Sequence, residues 1–181
     1  MAESDRTLEQ KHRTLRRLVI AQGDLFQALR FAELMLSYEG VKVESREEAM
    51  RHKGLLTALN IALVVAYSRP FLSSKTGRRN TAIPRLPDKI LRGLSREQKN
   101  LHRQMLNQRN QEFAHSDADA YSPMISHTEI GLMPTMRNPF PLPDAERIES
   151  IKEIIGVIVS GVSEQINGLA ETIQKGRTLY A

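Results

Sequence analysis

Three neighbouring residues have types suited to chemistry on a phosphodiester. Arg109 and Asn110 stand together in the run NQRNQEFAHSDAD, and His115 follows after four intervening residues. An RNA strand can be cut by its own 2′-OH if three services are supplied. A base takes the 2′ proton, an acid protonates the departing 5′ oxygen, and donors stabilise the charged phosphorane. Histidine is the side chain best poised for proton transfer near neutral pH. Arginine offers a fixed fork of donors that matches phosphate oxygens. Asn110 can position the phosphate or hold the imidazole by a hydrogen bond. The scheme needs no metal and no cofactor, and no cluster of carboxylates or histidines at ligand spacing lies near the three residues.

Helix geometry constrains how these residues could cooperate. On an ideal helix Arg109 and His115 are about 120° apart in azimuth and roughly 9 Å apart along the axis. One helix presents them awkwardly to a single phosphate, whereas two copies facing across a two-fold axis would make a composite site. Unwinding at the His115 end would relax the same angle. Plainer roles stay open for each residue. Arg109 could pair with Glu112 or Asp117, His115 could cap the helix C-terminus, and Asn110 could be an ordinary surface residue. His12, His52, His102 and His127 have no partner pattern and read as surface or structural.

The Arg109-Asn110-x4-His115 arrangement resembles the Arg-Asn-x4-His motif of the HEPN superfamily of helical nucleotide-binding domains. The following FAHSD segment is similar to prokaryotic members linked to abortive infection and toxin–antitoxin systems, and Tyr67-Ser68-Arg69-Pro70-Phe71 resembles that group less specifically. The resemblance in helix order spans most of the chain, with about ten residues carrying the specific match. It implies a metal-independent endoribonuclease acting as a homodimer whose motifs meet in a shared cleft, with RNA as substrate and an antitoxin protein as a further partner. It also implies Arg109, Asn110 and His115 as the catalytic residues. Two rival readings are a HEPN-like module that binds RNA, nucleotide or protein without catalysis, and a helical dimer with a purely structural role.

Charge placement points the same way. From Arg69 to Arg109 there are eleven Lys and Arg against two Asp and Glu, a local net of +9 within a chain whose total is +5. Such a concentration suits an anionic partner, nucleic acid first, although a solvated basic face would look alike. Arg69, Arg78 and Arg79 are the candidate RNA-backbone contacts. The 181 residues include no Cys, which excludes a disulfide framework, a thiolate metal site and a Cys nucleophile. The N-terminal residues lack the apolar stretch of a signal peptide, and the run from Leu55 to Tyr67 is short for a membrane span and carries Asn60. A cytoplasmic protein with no membrane association is expected.

The elements that must position the motif are helical. Scarce aromatics (5%) and abundant aliphatic residues suit packed helices, and the expected fold is one all-α domain over 1–181, a HEPN-like bundle of about five helices. Helix one should run from Asp5 to about Gln22, broken by Gly23 and with Asp24 capping a second from Leu25 to Tyr38 that ends at Glu39-Gly40. Its apolar contacts should come from Phe26, Leu29, Leu34 and Leu36. Ser45 with Glu47 and Glu48 starts a third, which runs to Ser68 and is apolar nearly all round in its second half, the mark of a central or interface helix. Long irregular loops are expected around 72–87 and 116–143, with a turn at Asp88–Arg92 and a short strand or hairpin arm in SHTEIGLMP. Ser95 with Gln98 caps a fourth helix, Arg96 to Ala114, which carries the motif. Asp144 opens the last, to about Gln174, where Ile148, Ile151, Ile155, Ile158 and Val162 recur at helical steps, and Gly156, Gly161 and Gly168 are expected to permit close packing.

Overall fold

Leu18, Ala21, Leu25, Ala28, Ala32 and Met35 follow one another at alternating three- and four-residue steps, and all six are buried. In the computed structural model they line one face of a single helix, α1 (Glu3–Ser37). The structure describes residues 3–72, 85–110, 123–128, 131–136 and 142–178, with side-chain surroundings in 8–72, 85–110 and 142–174. The expected break at Gly23-Asp24 is absent, so the first two expected helices are one. An exposed glycine costs a helix only about 1 kcal/mol, and the buried row passes straight through it. Phe26 and Leu34 stay substantially exposed, Leu29 and Leu36 pack half-buried against the core as expected, and Leu25, Ala28, Ala32 and Met35 form the fully buried row.

Gly40, at φ 74°, turns the chain after α1 in the left-handed conformation that glycine adopts at least cost. The next helix, α2 (Arg46–Ser68), starts where Ser45 accepts a hydrogen bond from the Glu48 amide. A 3-10 turn at Arg69–Phe71 ends it, with Pro70 inside. A second 3-10 helix, Asp88–Gly93, leads into α3 (Arg96–Gln108), and α4 (Ala145–Thr178) closes the bundle. Asp144 caps α4 by accepting from the Arg147 amide at 2.9 Å.

The fold is an all-α bundle. α1 packs against both α2 and α4, and α3 bridges α2 and α4. Small side chains on α1 (Ala21, Ala28, Ala32) accompany Ile151, Ile154, Ile155 and Ile158 of α4 in one core, so the seam combines small and large residues. The glycines of α4 do less than expected. A Cβ at Gly156 or Gly168 would meet nothing within 4 Å, and one at Gly161 would touch Ile90 at an ordinary 3.9 Å. The close approach is at Gly93, where a Cβ would come 3.2 Å from Val157 of α4.

Within the expected loop around 116–143 lies an antiparallel hairpin, β1 (Pro123–Thr128) and β2 (Gly131–Met136), in a register that pairs Pro123 with Met136 and Thr128 with Gly131. It coincides with the segment expected to form a hairpin arm. One described segment, Arg46–Phe71, is long and apolar enough to cross a membrane by length and composition. It begins with Arg46, Glu47, Glu48, Arg51 and Lys53 and buries Leu59, Leu63, Val64, Ala66 and Tyr67 in the bundle core.

Candidate functional site

The start of α3 is fixed locally. The Ser95 hydroxyl accepts from the Gln98 amide at 3.2 Å, and the Gln98 side chain accepts from the Ser95 amide at 3.0 Å, a reciprocal capping box. Ser95 also donates to Glu97 at 2.8 Å, and Glu97's carboxyl is held below its usual range by a hydrogen bond to its own backbone, then by Ser95. His102 and Met105 turn inward, and Leu101 and Leu106 are half-buried beside them.

Arg109 caps the C-terminal end of this helix. Its amide is shared between the carbonyls of Met105 and Leu106, and residues 109–110 widen into a π-type turn, a distortion frequent at functional sites. Seven residues after His102, Arg109 lies on the same side of the helix axis and is half-buried, while Asn110 is exposed. The Arg109 guanidinium donates to Asn110 Oδ1 at 3.0 Å. Among the described residues no carboxylate pairs with Arg109. Asn110 thus meets the guanidinium at the helix end, a contact outside the three roles weighed for it from sequence. His115, Glu112 and Asp117 lie outside the described residues.

Behind the motif, α3 is pinned to α2 by an aromatic cluster. Tyr67 Oη and His102 Nδ1 are 2.8 Å apart in the interior. The His102 ring meets Phe71 edge-on at a centroid distance of 4.7 Å and Tyr67 at 5.8 Å. Burial raises the Tyr67 phenol far above its usual pKa and lowers His102, for which desolvation outweighs the opposing pull of Asp88. The phenol therefore stays protonated and the imidazole neutral, so the 2.8 Å bond joins two uncharged groups, each able to donate or accept. Of the two roles left open for His102, surface or structural, it takes the structural one. The signal that marks it is its place between Leu101 and Met105 on the apolar side of α3.

The basic residues fare unevenly. Arg69, a candidate RNA contact, reaches α1, where it pairs with Asp24 at 3.4 Å and donates to Gln27 at 3.2 Å. Arg17 is buried and donates to the Pro70 carbonyl at 2.6 Å, which satisfies the C-terminal end of α2 and its 3-10 turn. Desolvation lowers the pKa of Arg17, with Asp24 opposing. Arg69 thus has a structural partner of its own. Arg78 and Arg79 lie outside the described residues.

Between α3 and the start of α4 is an open cleft of about 430 Å³, lined by Glu97, Asn100, Gln104, Asp144, Glu146 and Arg147 among others. Arg147 donates to Gln104 across it at 2.8 Å. Three carboxylates against one arginine make this edge of α3 unfavourable for a polyanion. Among the described residues no group of three or more His, Asp and Glu is placed to hold a metal ion. No known protein family, curated protein or solved structure matches this chain.

Proposed function

We propose that this protein is a metal-independent endoribonuclease of HEPN type, cutting single-stranded or looped RNA as a homodimer. The observation that carries the reading is Arg109. It stands half-buried at the widened end of α3, held by Asn110 and with no carboxylate partner among the described residues. A guanidinium placed and oriented in this way suits an incoming phosphate. In this reading Arg109 stabilises the phosphorane, His115 transfers the proton, and Asn110 orients. RNA is recognised mainly through charge and exposure.

The dimer is supported by apolar side chains left in solvent. Met50, Leu55 and Ile61 of α2 and Leu34 of α1 are all exposed, in a helix whose stretch from Gly54 to Ser68 has no charge. A second copy covering these side chains would remove them from solvent, and a composite site would need the two α3 ends to meet across its two-fold axis. A cytoplasmic toxin or phage-defence role with an antitoxin partner follows from the resemblance of the motif. Purified protein should cut single-stranded RNA, and His115→Ala should lose roughly 10²-fold or more, the usual share of a proton-transfer group. Binding without cleavage by the unaltered protein would replace this reading with a non-catalytic RNA-binding module.

A further inference from the structure

We infer that the edge of α3 formed by Arg96, Lys99 and Arg103 is the track along which single-stranded RNA lies on its way to Arg109, an inference that rests on the ribonuclease reading above. The three residues follow at steps of three and four, so one edge of the helix carries them, and all three are exposed. Neighbours in such a row are about 5–6 Å apart at Cβ. That step is comparable to the distance between successive phosphates of an extended strand. The row continues through exposed Asn107 toward Asn110, which holds Arg109. Lys89 and Arg92, exposed on the 3-10 helix leading into α3, extend the positive charge on its upstream side.

Three features separate this edge from an ordinary solvated helix face. First, none of Lys89, Arg92, Arg96, Lys99 and Arg103 has a carboxylate partner among the described residues, whereas Arg69 and Arg85 pair with Asp24 and Asp88. Second, Arg96 and Lys99 occupy the first turn of α3, where the helix dipole is positive and cations are unfavourable. Local stability does not explain cations there, and a polyanion laid across them would relieve the conflict. Third, the flank of α3 about 100° round from the row faces the cleft with Glu97, Asp144 and Glu146, so a phosphate backbone is steered away from that flank and onto the row. No described aromatic residue accompanies the row, so the track reads charge rather than base identity.

The test uses the full chain and a short single-stranded 2′-O-methyl oligonucleotide, which offers no free 2′-OH for self-cleavage. Affinity is measured by fluorescence anisotropy across a salt series. The unaltered protein should bind with steep salt dependence. The triple variant Arg96→Gln, Lys99→Gln, Arg103→Gln should bind on the order of tenfold or more weakly, with a log–log slope flatter by about 2, since each lost phosphate contact on a single strand removes about 0.7. An equal charge removed elsewhere, by Arg30→Gln, Arg46→Gln and Lys53→Gln on α1 and α2, should leave both quantities nearly unchanged. Circular dichroism checks that both triples fold, and Lys99→Gln alone gives a milder variant with a slope change of about 0.7. Unchanged binding in the α3 triple, equal weakening in the control triple, or no binding by the unaltered protein overturns the track. Cleavage by the unaltered protein alongside unchanged binding in the α3 triple removes the track and keeps the ribonuclease reading. Loss of binding in that triple, with no cleavage by the unaltered protein, does the reverse.

Discussion

Protonating His102 would place a charge between Tyr67 and Phe71 in the interior. Burial holds its folded pKa below the usual value, with Arg103 acting in the same direction and Asp88 against it. The unfolded chain takes up this proton first as pH falls. The stability His102 contributes is therefore complete above about pH 6.5 and is lost as pH drops through the folded value. Urea unfolding midpoints should fall between roughly pH 7.5 and pH 5, and the His102→Gln protein should show a smaller fall. That variant should also be less stable at neutral pH by about 1–3 kcal/mol, because it removes the ring that bonds the buried Tyr67 hydroxyl and packs edge-on against Phe71. Identical pH dependence in the two proteins would show that His102 is not the titrating group. Arg109 behaves differently, because its partner Asn110 is exposed and adjacent. Arg109→Ala should cost cleavage about 10²-fold, as loss of an electrostatic stabiliser does, with little change in helical circular dichroism.

The helices that start with a local signal are the ones a sequence reader can place. Ser45, Ser95 and Asp144 each cap the helix that follows, because the bond they make reaches only three residues along the chain. Ser95→Ala should accordingly cost about 1 kcal/mol and weaken the docking of the whole motif helix, checked by thermal unfolding. What misleads is a residue whose local preference is overridden by tertiary packing. Gly23 and Asp24 look like a stop and a cap, yet Leu18, Ala21, Leu25 and Ala28 continue the buried row across them, and Asp24 pairs with Arg69 instead of capping. Gly23 has room for a Cβ, so Gly23→Ala should raise stability by about 0.5–1 kcal/mol, while a helix break there would make the same change destabilising. The motif residues were legible in the same local sense, as a pattern on the end of a capped helix. The Tyr67–His102 contact was not, because it joins residues 35 positions apart. The basic edge of α3 was visible only as part of a charged stretch, since pairing with Asp24 and Asp88 is what sets Arg69 and Arg85 apart from it.

At the scale of the whole molecule, exposed apolar side chains, a row of cations on α3 and a motif whose Arg109 and His115 are six residues apart would be joined in one dimer. Light scattering at micromolar concentration should give about twice the 20.5 kDa mass of the chain. Leu55→Glu with Ile61→Glu should shift it toward monomer, since both side chains are exposed on α2. If Arg109 of one copy works with His115 of the other, mixing inactive Arg109→Ala and His115→Ala proteins should restore about a quarter of the activity, because half the dimers are mixed and each has one intact site. No recovery on mixing would place each pair within one chain. The most direct test of the central claim is the chemistry of the cut. Single-stranded RNA should be cleaved in excess EDTA, leaving 2′,3′-cyclic phosphate or 3′-phosphate ends, and a strand with 2′-deoxyribose at the scissile position should resist, because the attacking group is the neighbouring 2′-OH. Cleavage that needs a divalent metal, or that proceeds at the deoxy position, would contradict the account.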